Sequence, residues 1–145
     1  MEKLVVTAHF HTAHRQLDFG GHCVHVHGHT WRGKITIATE EFPRDACDVS
    51  LDFGRLKRIM RDMDHKIIVT DSDPTFLDPA LFDQQGVYRI EGKGPSVENV
   101  ARHIMGEIAK HIAEKFSGHG VEYQVAVEIQ ETDNNFFTVE KRLVI

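Results

Sequence analysis

The chain has few cysteines, no cationic excess and no long apolar run, and each shortage closes off a class of protein. Only Cys23 and Cys47 stand among 145 residues, too few for a disulfide-stapled secreted fold. The apolar part of Met1–Thr7 is too short for an export signal. A reducing, cytoplasmic setting with free thiols is therefore expected. No apolar stretch reaches the ~18 residues that span a bilayer, so no membrane partner is expected. A net charge of −5 leaves no basic footprint for nucleic acid. No repeat and no low-complexity linker divides the chain, and its length suits one domain, 1–145, with a real core. Histidine, by contrast, is abundant. Its 11 copies exceed what packing alone would use.

The densest segment is Cys23-Val24-His25-Val26-His27-Gly28-His29-Thr30-Trp31. In a strand, side chains two apart share a face, so His27 and His29 would stand side by side. Neutral imidazole is a common zinc ligand, and three protein ligands with one open position mark a catalytic rather than a structural zinc. A third histidine is available upstream, in Thr7-Ala8-His9 or in Phe10-His11-Thr12-Ala13-His14. Cys23 is too isolated to belong to a four-cysteine cage.

Periodicity gives the order β-β-α-α-β-β. Leu4 to Phe10 reads as a strand running into the histidines. Thr30 to Thr39 is a second, with Trp31, Gly33, Ile35 and Ile37 on the face that His27 and His29 share. Leu51 to Met63 reads as a helix with Phe53, Leu56, Ile59, Met60 and Met63 on its apolar stripe and Asp52 at its start. Residues 66–94, rich in Asp, Pro and Gly, read as a long loop of the kind that is often functional. Ser96 caps a second helix reaching Phe116. Val121 to Gln130 and Phe136 to Val144 complete the strands. Strand parity also turns the Glu131 carboxylate toward the buried side at the sheet's end, where it needs partners. The expected class is α+β, a four-stranded antiparallel sheet with two helices on one face.

Several motifs in this order resemble the 6-pyruvoyltetrahydropterin synthase / 6-carboxytetrahydropterin synthase family. They are Phe10-x-x-Ala13-His14, Cys23-x-x-x-His27-Gly28-His29, Asp52-Phe53, Asp64-His65, Ser96-Val97-Glu98-Asn99 and Glu131-Thr132. The resemblance implies the tunnelling fold, assembled as a homo-hexamer of two stacked trimers with sites at subunit interfaces. It implies one zinc per subunit on His14, His27 and His29, with His9 the competitor for the upstream position. Cys23, Asp64 and His65 would be the catalytic proton-transfer groups, with the cysteine and the Asp-His pair meeting across a subunit boundary. Glu131 would hold a pterin substrate, with Glu98 a second candidate contact.

The three-residue gap between Cys23 and His27 resembles the queuosine-pathway enzyme. That enzyme converts 7,8-dihydroneopterin triphosphate to 6-carboxy-5,6,7,8-tetrahydropterin, acetaldehyde and triphosphate. The run Glu131-Thr132-Asp133-Asn134-Asn135 resembles instead the pyruvoyl synthases, which stop after triphosphate elimination. A zinc- or pterin-binding module without turnover is a third reading, opposed by the intact Cys23, Asp64 and His65. The Leu-Asn that often follows Asp-His in the family is absent here, where Lys66-Ile67-Ile68-Val69 stands instead.

Overall fold

The computed structural model describes residues 1–145. Strands β1 (Glu2–His14) and β2 (His27–Thr39) form a long antiparallel pair. Helix α1 (Phe53–Arg61), the short strands β3 (Lys66–Val69) and β4 (Val87–Arg89), and helix α2 (Val97–Phe116) follow. Strands β5 (Glu122–Thr132) and β6 (Asn135–Val144) close the chain. The sheet runs β4-β3-β1-β2-β5-β6.

Alternation explains the four long strands. On β1 the residues Leu4, Val6, Ala8, Phe10, Thr12 and His14 are buried, while those between them are largely exposed. Trp31, Ile35 and Ile37 of β2 continue that face, as do Tyr123, Val125, Val127 and Ile129 of β5. The helices cover it with Leu56, Ile59 and Met60 of α1 and with Val100, Ala101, Ile104, Met105, Ile108, Ile112 and Phe116 of α2. One continuous core results. Each helix begins on an anticipated cap: the Asp52 side chain accepts from the Gly54 N–H, and Ser96 Oγ accepts from the Asn99 N–H. No helix is long and apolar enough to cross a membrane.

The sheet has six strands rather than the expected four, and it is mixed rather than antiparallel. β3 pairs in parallel with β1, and β4 in parallel with β3. Both extra strands lie inside 66–94, which reads as loop in sequence. Three or four residues are too few to display a period. Ile68 and Val69 are nevertheless buried; the edge of β1 supplies backbone partners to Lys66 and Ile67, and β3 in turn supplies them to β4.

Helix α1 is also shorter than its pattern. It starts at Phe53 and ends at Arg61. Met63 is buried beyond the helix end, and Phe53, in a first turn that lies wholly at the surface, is 53 % exposed instead of joining the stripe. Arg15 ties the 66–94 segment to the end of β1. Its guanidinium donates to both carboxylate oxygens of the buried Asp73, at 2.6 and 2.9 Å, and lies over the Phe76 ring.

Candidate metal centre

His14 ends β1, and His27 and His29 open β2. Antiparallel register sets His14 directly opposite His27, and alternation puts His29 on the same face two residues on. The ring centroids are 4.6 to 5.2 Å apart. One nitrogen from each ring lies within 4.8 Å of the other two. The three histidines form a cluster that could hold a metal ion, and no thiol belongs to it.

Hydrogen bonds decide which nitrogen two of the rings offer. His14 Nδ1 lies 2.7 Å from the Pro95 carbonyl, and His27 Nδ1 lies 2.7 Å from the His25 carbonyl. A carbonyl only accepts, so both Nδ1 atoms carry the proton and both Nε2 atoms keep a free lone pair. This is the usual support of a metal-binding imidazole, whose second nitrogen is tied to a carbonyl or carboxylate. His14 Nε2 and His29 Nε2 are buried without a hydrogen-bond partner. Buried polar atoms rarely stay unpaired, and a metal would satisfy both.

Burial, aided by the neighbouring His27 and His29, lowers the His14 pKa to about 4 against the pull of its Pro95 bond. Burial first, then His27, lowers that of His29. Both rings are thus neutral at physiological pH, the form that ligates. Of the two upstream histidines, it is His14 that lies in the cluster. His9 is exposed on the other face of β1.

Glu131 joins this cluster. A β-bulge at the end of β5 places one extra residue between Gln130 and Thr132, a common device for re-aiming a side chain beside a site. Its Oε1 lies 3.5 Å from His14 Nε2 and 3.8 Å from His29 Nε2, outside hydrogen-bonding geometry with either. Burial raises its pKa, His27 opposes that rise, and Glu98 adds to it. Glu98 lies in the first turn of α2.

Asp64 and His65 form a direct pair, with His65 Nδ1 donating to Asp64 Oδ2 at 2.8 Å. Strand β1 grips the pair at His11. The His11 N–H donates to Asp64 Oδ1 at 2.6 Å, and the His65 N–H donates to the His11 carbonyl at 2.7 Å. That grip is the first cause of the lowered Asp64 pKa, with the His65 bond second. The His65 ring is 80 % exposed and sits 6.0 Å, centroid to centroid, from the exposed His11 ring. Alternation puts His11 and His14 on opposite faces of β1. Within one chain the Asp-His pair and the histidine cluster are therefore separated by the sheet.

Cys23 lies half-buried in a short 3₁₀ turn, His22–Val24, just before β2. Its carbonyl accepts from the Gln16 N–H at 2.7 Å. Cys47 is exposed and free.

The family model described as 6-pyruvoyl tetrahydropterin synthase matches residues 3–142. The chain belongs to this family. It is an enzyme of the lyase type found there, with the fold expected of it. A 6-carboxy-5,6,7,8-tetrahydropterin synthase from Rickettsia bellii is 28 % identical over 138 residues, spanning 90 % of this chain and 94 % of that protein. The enzyme of the same name from Rickettsia typhi is 26 % identical over equal shares. A catalytic-residue mutant of Plasmodium vivax 6-pyruvoyltetrahydropterin synthase superposes with a TM-score of 0.70 at 18 % identity, covering 98 % of each chain. At that identity the likeness concerns the fold.

Three features around the histidine cluster escape sequence reading. The Pro95 carbonyl is a backbone atom 81 residues from the ring it holds. The Asp73–Arg15 bond links an acidic loop residue to the residue after a ligand. Trp31 is readable as core, but its unpaired indole N–H, in a ring 5.1 Å from that of His14, is not. The only hint for the first is that Pro95 stands immediately before the helix cap.

Proposed function

We infer that the protein is a zinc-dependent 6-carboxytetrahydropterin synthase. It converts 7,8-dihydroneopterin triphosphate to 6-carboxy-5,6,7,8-tetrahydropterin, acetaldehyde and triphosphate, as one domain, in the cytoplasm, on the queuosine route. The observation that carries this reading is the cluster of His14, His27 and His29, with buried unpaired Nε2 atoms and the Glu131 carboxylate set against them. The Rickettsia relatives and the short Cys23-to-His27 spacing favour the carboxy product.

Each residue has a definable task. His14, His27 and His29 would hold zinc, which supplies Lewis-acid activation of the substrate's side-chain hydroxyls and neighbouring C–H bonds. Glu131 accepts the paired donors of the pterin 2-amino and N3–H edge, which explains a half-buried carboxylate with no protein hydrogen bond. Glu98 would be a second substrate contact. The Cys23 thiol and His65 Nε2, the ring nitrogen left free by the Asp64 bond, move protons. Asp64 fixes the His65 tautomer.

The sheet separates His65 from the cluster of its own chain, which supports active sites shared between copies. The homo-hexamer of two stacked trimers would bring the Asp64–His65 pair of one copy to Cys23 of another. The open edges at β4 and β6 suit such assembly.

Product identification tests the reading. Zinc-loaded protein incubated with 7,8-dihydroneopterin triphosphate should yield 6-carboxytetrahydropterin and acetaldehyde. The Glu131–Asn135 run favours the second reading, 6-pyruvoyltetrahydropterin synthase. Triphosphate release without acetaldehyde would establish that reading instead. Binding without any turnover would leave a zinc- or pterin-binding module.

A further inference from the structure

The side chain of Asn99 has a place in this architecture that no step of the proposed reaction uses. Asn99 lies in the first turn of α2, where its N–H donates to the Ser96 cap. Its side-chain amide turns back beneath the preceding loop, and Nδ2 donates to the Gly94 carbonyl at 2.8 Å. The loop closes tightly over that amide. Gly92 has φ +127°, and a Cβ there would run into Asn99 Nδ2 and come within 2.9 Å of its Cγ. Only glycine adopts that backbone without strain.

On the far side of the loop, a Cβ on Gly94 would come to 2.5 Å from Gln16 Oε1. Gln16 is the residue whose N–H holds the Cys23 carbonyl. One residue further along, Pro95 offers its carbonyl to His14 Nδ1. The loop from Gly92 to Pro95 is thus clamped from below by Asn99, abuts Gln16 at its side, and ends on the ring of a metal-cluster histidine.

We propose that Asn99 is a positioning residue for the metal centre. Acting through Gly94 and the Pro95 carbonyl, it sets the tautomer and the aim of His14. Proline has no N–H of its own to anchor it, so the place of its carbonyl depends on the residues to either side. Ser96 fixes the following side through the helix cap, and Asn99 fixes the preceding side through Gly94. Losing the amide frees the loop, and His14 loses the acceptor that keeps its proton on Nδ1. Both ring forms then become populated, and a fraction of chains presents a protonated Nε2 to the metal. Partners of metal ligands typically contribute roughly ten- to hundred-fold in metal affinity.

This inference rests on the zinc reading for its affinity arm only. Two variants test it: Asn99→Asp, which keeps the side chain's size but sets an acceptor against the Gly94 carbonyl, and Gly92→Ala, which pushes on the amide from the other side. Ring ¹⁵N shifts of His14 in metal-free protein read the tautomer. Zinc affinity is measured by competition with a chelator, and circular dichroism confirms that each variant is folded.

In the wild type, His14 should be almost wholly the Nδ1–H form. In both variants the two forms should mix, and zinc affinity should fall roughly ten-fold or more. A pure cap defect would lower the melting temperature and leave the tautomer unchanged. Folded variants that keep the Nδ1–H form and bind zinc within about three-fold of wild type would overturn the proposal. A wild-type chain that binds no zinc would overturn the zinc reading, and the tautomer arm alone would then decide the role of Asn99.

Discussion

On one face of β1, His14 is buried, its ring tied to the Pro95 carbonyl and pressed against two other imidazoles. On the other face, three residues earlier, His11 supports an Asp64–His65 pair whose imidazole stands 80 % exposed. One chain builds the first region completely. Carbonyl partners set the tautomers of His14 and His27, and burial keeps His14 and His29 neutral. The second region has well-ordered hydrogen bonds but no enclosure. The contrast teaches that preorganisation and burial are separable. The histidine cluster gathers on the buried face of its own chain, whereas the Asp64–His65 pair is held rigid at the surface.

The largest expected effect would break the inner region. His27→Ala and His29→Ala proteins should be almost free of zinc by metal analysis, since two imidazoles cannot replace the three-ligand site. His9→Ala, on the other face, should retain the metal. Full zinc in both of the first two variants would remove the cluster from the assignment.

The next effect separates the regions. His65→Ala should keep zinc and fold yet lose ~10²–10⁴-fold in turnover, the usual contribution of a proton-transfer group. Because the sheet parts His65 from its own cluster, co-assembling His65→Ala chains with His27→Ala chains should restore some activity by forming sites with both intact halves. Mixtures no more active than either parent would mean that each chain works alone.

A smaller effect concerns the strut that joins the histidine end of β1 to the 66–94 segment. The Arg15 guanidinium beside it holds the buried Asp73 carboxyl below the ordinary range. Asp73→Asn should cost about 3 kcal/mol, the low end for stripping one partner from a buried pair, because Arg15 keeps some solvent contact. The folded pKa lies below the unfolded one. The contribution is therefore fully present above the unfolded value near ~3.9 and is lost as pH falls through the folded value. Denaturant melts of both proteins should show a constant gap near neutrality that closes in acid. A gap independent of pH would assign the cost to shape rather than charge.

The smallest effect sharpens the outer region. His65 sits at φ +57°, a left-handed conformation unusual for a residue with a Cβ. His65→Gly should relieve that strain and raise stability by about 1 kcal/mol, offset in part by loss of the exposed Asp64 contact. Thermal melting checks the sign. A stabilised but inactive variant would show that the histidine is kept for its chemistry; a destabilised one would show that its ring holds the fold.

Much of the site was legible because its information is local. His27 and His29 are two apart in a strand, and the period of two alone aligns them. Glu131 follows the parity of Tyr123 to Ile129, although the bulge that completes its aim leaves no mark in the residue pattern. Asp52 and Ser96 announced their caps by type and position. The short strands β3 and β4 were illegible, since each is held by the neighbour it pairs with more than by any preference of its own.

By itself, then, the sequence determined the four long strands, the two helices, the face on which the histidines gather and the family to which the chain belongs. The strands, helices and histidine face follow from periodicities and spacings carried within single segments; the family follows from the resemblance of motifs spread along the chain. The tertiary structure alone decided that β3 and β4 extend the sheet, that Pro95 and Asn99 stand behind His14, and that the sheet divides Asp64–His65 from the cluster. Each of these depends on which distant backbone atoms meet. Backbone donors and acceptors are the same for nearly every residue type, so their pairing cannot be read from the order of side chains.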